Sequence, residues 1–143
     1  MSGPLDRLRV DRLVAASPPA VWDAWTTEAG LARWWWAGWD DTTYVVDARI
    51  GGSYRITAPA AGIAVSGDYL ALEPPHRIEM TWVWSDDDGD GPVERVVVEL
   101  TADGAGTRVS VVHTGPWTTP EPAANYRQGW DHVLDRLAGI DLA

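Results

Sequence analysis

The chain has 143 residues, 45% of them hydrophobic and 22% charged, which suits one globular domain over 1–143 with a core of its own. Its formal net charge is −10, and its 11 basic residues are all Arg, scattered along the chain. A concentrated basic face is therefore missing, which excludes nucleic acid and anionic membrane as expected partners. Without Cys there is no disulfide, thiolate nucleophile or Cys-ligated zinc. No apolar run approaches the ~18–20 residues of a membrane span, and Met1 to Arg7 lacks the apolar core of a signal peptide. A soluble cytoplasmic protein is expected.

Leu8 to Ala16 alternates as a first strand, with Leu8, Val10, Arg12 and Val14 on one face. Ser17-Pro18 then marks a helix start, and Val21, Ala24 and Trp25 give that short helix an apolar edge. Thr26-Thr27-Glu28 opens a second short helix through Leu31 to about Trp36, closed by the loop at Asp40-Asp41. From Thr43 the period becomes two. Tyr44 to Ile50, Ser53 to Ala58, Ile63 to Leu72, Arg77 to Trp84, Val93 to Thr101 and Thr107 to Thr114 read as strands. Gly51-Gly52, Pro59 to Gly62, Pro74-Pro75, Asp86 to Gly91 and Asp103 to Gly106 separate them. Connections this short predict an antiparallel meander.

After Pro120-Glu121-Pro122, apolar residues recur at Tyr126, Trp130, Val133, Leu134, Leu137 and Ile140. That spacing predicts a helix from Pro120 to Leu142 with one apolar stripe. Asp131, His132, Asp135 and Arg136 fall on the other side, toward water. A helix of this length is marginal alone, so the stripe needs a surface. The expected architecture is an α+β domain, a curved antiparallel sheet wrapped around the long C-terminal helix, with two short helices after the first strand. Such a grip leaves room for a cavity.

Candidate sites are few. Asp86-x-Asp88-x-Asp90-Gly91 begins like a calcium loop, but Val97 stands where the bidentate Glu is due. Gly51-Gly52 lacks the following helix and Lys of a phosphate cradle. The three histidines share no metal spacing, and no metal or cofactor is expected. Strand alternation places His113 with Val109 and Val111, facing inward. There it is either a core residue satisfied by a backbone carbonyl or a Tyr, or a polar anchor or proton-transfer group on a cavity wall. Arg12 is a semi-buried cation wanting an acidic or ligand partner, or a rim residue with a buried stem. Ten Trp supply large rigid walls. Trp34, Trp35, Trp36 and Trp39 cannot all face the core, so one or two pack and the rest line an opening or stay exposed.

Ala16-Ser17-Pro18-Pro19-Ala20-Val21-Trp22, Leu31-Ala32-Arg33-Trp34-Trp35 and Asp47-x-Arg49-x-Gly51-Gly52-x-Tyr54-Arg55 are recognisable in this order. So are Gly67, Pro74-Pro75-His76-Arg77-Ile78, Thr81-Trp82, Gly106-Thr107-Arg108, His113-Thr114-Gly115 and Gly129-Trp130-x-x-Val133-Leu134-Asp135-Arg136-Leu137. Together the blocks resemble the activator of heat-shock-protein-90 ATPase homologue-like family of the START/SRPBCC superfamily. The resemblance implies the helix-grip fold and a cavity for hydrophobic small molecules. Its relatives include lipid carriers, hormone receptors and polyketide aromatase/cyclases. The chain departs at Trp36-Ala37-Gly38, where a Gly-Pro pair is more usual, so a different loop is expected at the cavity mouth. The expected function is binding of a small hydrophobic, aromatic or polycyclic ligand by Trp35, Tyr69, Met80, Trp82, Trp117, Tyr126 and Trp130, with His113 as polar anchor. One alternative is a cyclase/aromatase, dehydratase or isomerase with His113 as acid–base group. Another is a co-chaperone-like interaction module presenting the tryptophans at 34–39. Besides the ligand, a second copy of the chain is an expected partner.

Overall fold

The computed structural model describes residues 6–142. Met1 to Leu5, where a signal-peptide core was sought, and the final Ala143 lie outside the described residues. Strand β1 (Arg7–Val14) is followed by helices α1 (Pro18–Thr26) and α2 (Glu28–Leu31). Then come β2 (Thr43–Val46), β3 (Ser53–Ala58), β4 (Ile63–Glu73), β5 (Arg77–Asp86), the two-residue β6 (Gly89–Asp90), β7 (Glu94–Asp103) and β8 (Gly106–Thr114). Helix α3 (Glu121–Gly139) closes the chain. The sheet order is β1-β8-β7-β5-β4-β3-β2, with β6 paired to β5, and every pairing is antiparallel. From β2 onward this is the expected meander, closed by β1 beside β8.

Local chemistry explains the helix starts. Ser17 accepts from the Ala20 amide, with Pro18 in the first turn, and Thr27 caps α2 by accepting from Gly30. In α3 the stripe buries Trp130, Val133, Leu134 and Leu137. At roughly 1.5–3 kcal/mol per large side chain, that burial is what holds an otherwise marginal helix on the sheet. The sheet bends at a bulge between Tyr69 and Ala71. Near it Gly67 allows a close strand approach: a Cβ there would meet the Thr81 carbonyl oxygen at 1.9 Å. The Tyr54 hydroxyl donates to that same oxygen at 2.6 Å.

Several predicted elements are shorter than expected, the second helix and the strand from Tyr44 among them. The second helix stops at Leu31, and 32–39 continues as turns. The Trp34 indole donates to the Ala24 carbonyl at 2.9 Å, pulling the chain back toward α1, and Trp36 takes φ 51, outside any right-handed helix. The strand expected to reach Ile50 ends at Val46. Past it the Arg49 amide turns back to the Asp47 carbonyl, and Ile50 is left exposed. Asp131 and Asp135 keep contact with water, as expected, and from there also grip Arg12. Its Nη2 lies 2.6 Å from Asp131 Oδ1 and its Nε 3.0 Å from Asp135 Oδ1, tying α3 to β1.

Candidate functional site

Alternation along β7 turns Glu94, Val96, Val98 and Leu100 inward, and along β8 it does the same for Val109, Val111 and His113. Glu94 is 6% exposed and His113 is fully buried. The Trp130 indole N–H, which can only donate, lies 3.0 Å from His113 Nδ1. Nδ1 is therefore the unprotonated nitrogen, and Nε2–H donates to Glu94 Oε1 at 2.8 Å. The Trp117 indole donates to the other oxygen, Glu94 Oε2, at 2.8 Å. Burial holds the His113 pKa below its usual value, against the opposing pull of Glu94, in keeping with a neutral ring. This bridge joins β7, β8, α3 and the segment before α3 with no polar atom left over. Both imidazole nitrogens are spent within the protein, which leaves His113 no lone pair to anchor a ligand or move a proton.

In front of the bridge lies an aromatic layer. The Tyr126 ring packs 4.3 Å from His113, and Trp82 sits 5.0 Å from His113 and 5.3 Å from Trp130. Trp82 Nε1–H donates to the Tyr126 hydroxyl at 3.4 Å, and burial raises the pKa of that hydroxyl. A cleft of about 80 Å³ opens between sheet and α3, walled by Trp35, Trp36, Trp82, Trp84, Tyr126, Gly129, Trp130 and Val133. Deeper, a void of about 10 Å³ lies among Trp25, Leu31, Trp35, Tyr54, Ile56, Tyr69, Ile78 and Met80. Trp35 borders both.

The structure therefore puts Trp35, Tyr69, Met80, Trp82, Tyr126 and Trp130 on cavity walls, with His113 and Trp117 behind them on Glu94. Trp34 and Trp35 are buried, Trp36 is half-buried at the mouth, and Trp39 is 40% exposed. The 34–39 stretch thus offers little free apolar surface for an interaction module. Glu94 was not among the expected site residues, and Trp25 was expected only on the apolar edge of its helix. Glu94 lies in phase with Val96 and Val98 on its strand, so alternation already placed it on the inward face. Among the described residues no cluster of three or more His, Asp or Glu side chains could hold a metal. None of the described helices is long and apolar enough to cross a membrane.

No curated protein matches the chain closely enough to carry an argument. Solved structures do. CV1439 from Chromobacterium violaceum is 28% identical, with TM-score 0.75, over 96% of this chain and 99% of that one. DynU16, from the dynemicin biosynthetic locus, is 25% identical with TM-score 0.80 over 94% of this chain, which spans only 46% of DynU16. PFC0360w, an HSP90 activator from Plasmodium falciparum, shares the fold at TM-score 0.71 but only 16% identity over 92% of this chain and 93% of that one. The curved sheet gripping α3 is the helix-grip fold common to them. The sequence profile described as Activator of Hsp90 ATPase homolog 1-like protein matches residues 15–140, and the chain belongs to that family.

Proposed function

We propose that the protein binds a small, largely apolar molecule carrying an aromatic ring in the cleft between the sheet and α3. The observation that carries this reading is the lining: Trp35, Trp36, Trp82, Trp84, Tyr126 and Trp130 surround one opening, and its mouth residues Trp36, Trp84 and Tyr126 are only half-buried. Rings on several sides favour stacked and edge-on contact with another ring, worth about 0.5–1.5 kcal/mol per pair beyond the area buried. The polar groups of the lining are one hydroxyl, Tyr126, and indole N–H donors. That set orients a ligand and supplies no ready general base, which favours binding over turnover. The likeness to DynU16, a protein of a biosynthetic locus, supports a role in handling a small molecule.

Titration with 2-ethylnaphthalene tests this through intrinsic Trp fluorescence. A saturable change is expected, weakened about tenfold, or roughly 1.4 kcal/mol, in Trp84→Ala. A purely linear, unsaturable response with this probe and with single-ring analogues such as toluene would overturn the proposal.

A further inference from the structure

The cleft is too small for the ligand class it invites. Its volume of about 80 Å³, with about 10 Å³ more in the inner void, falls short of the ~150 Å³ cavity that accepts benzene. It is further still from the ~300–1,000 Å³ of ordinary ligand pockets. Some wall must move, and hydrogen bonding separates the walls. Trp130 is tethered to His113, Trp82 to Tyr126, and the neighbouring Trp34 to Ala24. The buried indole N–H groups of Trp35 and Trp25 have no partner. Trp35 is the ring common to cleft and inner void, so it is the partition between them. Its backbone is fixed, because the Tyr44 hydroxyl donates to the Trp35 carbonyl at 2.5 Å. Ring contacts at 5.3–6.3 Å with Trp25, Trp34, Trp36, Trp82 and Trp130 pack around the indole, with no hydrogen bond to it. Turning it about its side-chain bonds breaks no hydrogen bond. Next to it, Trp36 holds the left-handed φ of 51 that a bulky side chain rarely adopts.

Beyond the partition the walls are Leu31, Ile56, Ile78, Met80, the rings of Tyr54 and Tyr69, and Trp25, whose buried indole N–H has no partner. A buried donor without a partner costs about 1–3 kcal/mol, which an acceptor on a ligand would recover. Building on the ligand-binding reading above, we infer that the ligand site extends through Trp35. The indole swings aside, cleft and void become one pocket, and the occupant is an elongated apolar molecule whose leading carbonyl oxygen accepts from Trp25 Nε1–H.

The test pairs 2-acetylnaphthalene with 2-ethylnaphthalene, which match in shape and differ in the carbonyl. The ketone should bind about tenfold more tightly, the worth of one buried hydrogen bond. Trp25→Phe should erase that preference while 2-ethylnaphthalene still binds. The Trp25 indole N–H resonance, identified by its loss in Trp25→Phe, should move downfield with the ketone only. In stopped flow the observed rate should level off with probe concentration for the parent protein and rise linearly in Trp35→Ala, where the partition is gone. Binding without a ketone preference that depends on Trp25 overturns the inference and leaves the ligand-binding reading standing. Failure of both naphthalenes to bind the parent overturns the inference, and the ligand-binding reading falls with it only if toluene also fails to bind. Should Trp35→Ala not fold, the Trp25→Phe comparison and the N–H shift decide alone.

Discussion

Glu94 accepts from two N–H groups that have no other partner, His113 Nε2 and the Trp117 indole. Glu94→Gln replaces one acceptor oxygen by an NH₂ that must face a donor. The expected cost is about 1–3 kcal/mol, read as a drop in thermal midpoint of roughly 3–10 °C for a domain of this size. An unchanged midpoint would show the bridge to be energetically idle. His113 adds a pH signature. Its folded pKa is lowered by burial, so the unfolded chain takes up the proton first as pH falls through about 6.5. The stability from its neutral form is complete above that pH and declines below it, by at most about 1.4 kcal/mol per pH unit. Urea unfolding from pH 8 to 5 should show a shallower decline in His113→Gln than in the parent. At this scale the inward aim of His113 was legible from strand parity, whereas its partners were not. Alternation assigns a face to each residue but says nothing of which side chains meet across strands.

Between elements, the Arg12 fork on Asp131 and Asp135 binds the first strand to the last helix. All three side chains keep contact with water, so the pairs are worth about 1 kcal/mol or less together, and salt screens them. Arg12→Met preserves the buried stem and leaves two carboxylates a helical turn apart without their cation. Equilibrium unfolding should show a loss of roughly 1 kcal/mol at low salt, shrinking toward zero in 1 M NaCl where the Debye length is about 3 Å. A loss that ignores salt would assign the effect to packing. The helix itself was readable because Trp130, Val133, Leu134 and Leu137 recur at its period. The end of the second helix was not. Its stopping at Leu31 follows from where Trp34 finds an acceptor and from the backbone of Trp36, both tertiary matters.

For the molecule as a whole, short connections between alternating segments made the β2-to-β8 meander legible. The pairing of β1 with β8 left no local trace, because its register joins Arg7 to Thr114 and Val14 to Thr107. The number of tryptophans pointed to a cavity, and the structure spends most of them as filling. Trp34 and Trp130 are among the largest fully buried side chains, and the space left beside them is small. Aromatic count alone cannot separate a lined pocket from a packed one, since both use the same residues.

The β1–β8 pairing also bears on how the protein is made. β1 is synthesised early, yet its ladder partner is complete only at Thr114, and the helix that covers it follows at Glu121–Gly139. Leu8, Val10 and Val14, all buried in the finished sheet, must wait exposed on the ribosome while about a hundred residues are added. At ~5–20 residues per second that wait lasts many seconds. Ribosome-bound chains stalled with residues 1–104 outside the exit tunnel should be cleaved readily within 7–14 by a limited protease pulse. Chains with residue 142 outside should resist it, and equal resistance in both would mean that β1 finds interim shelter elsewhere.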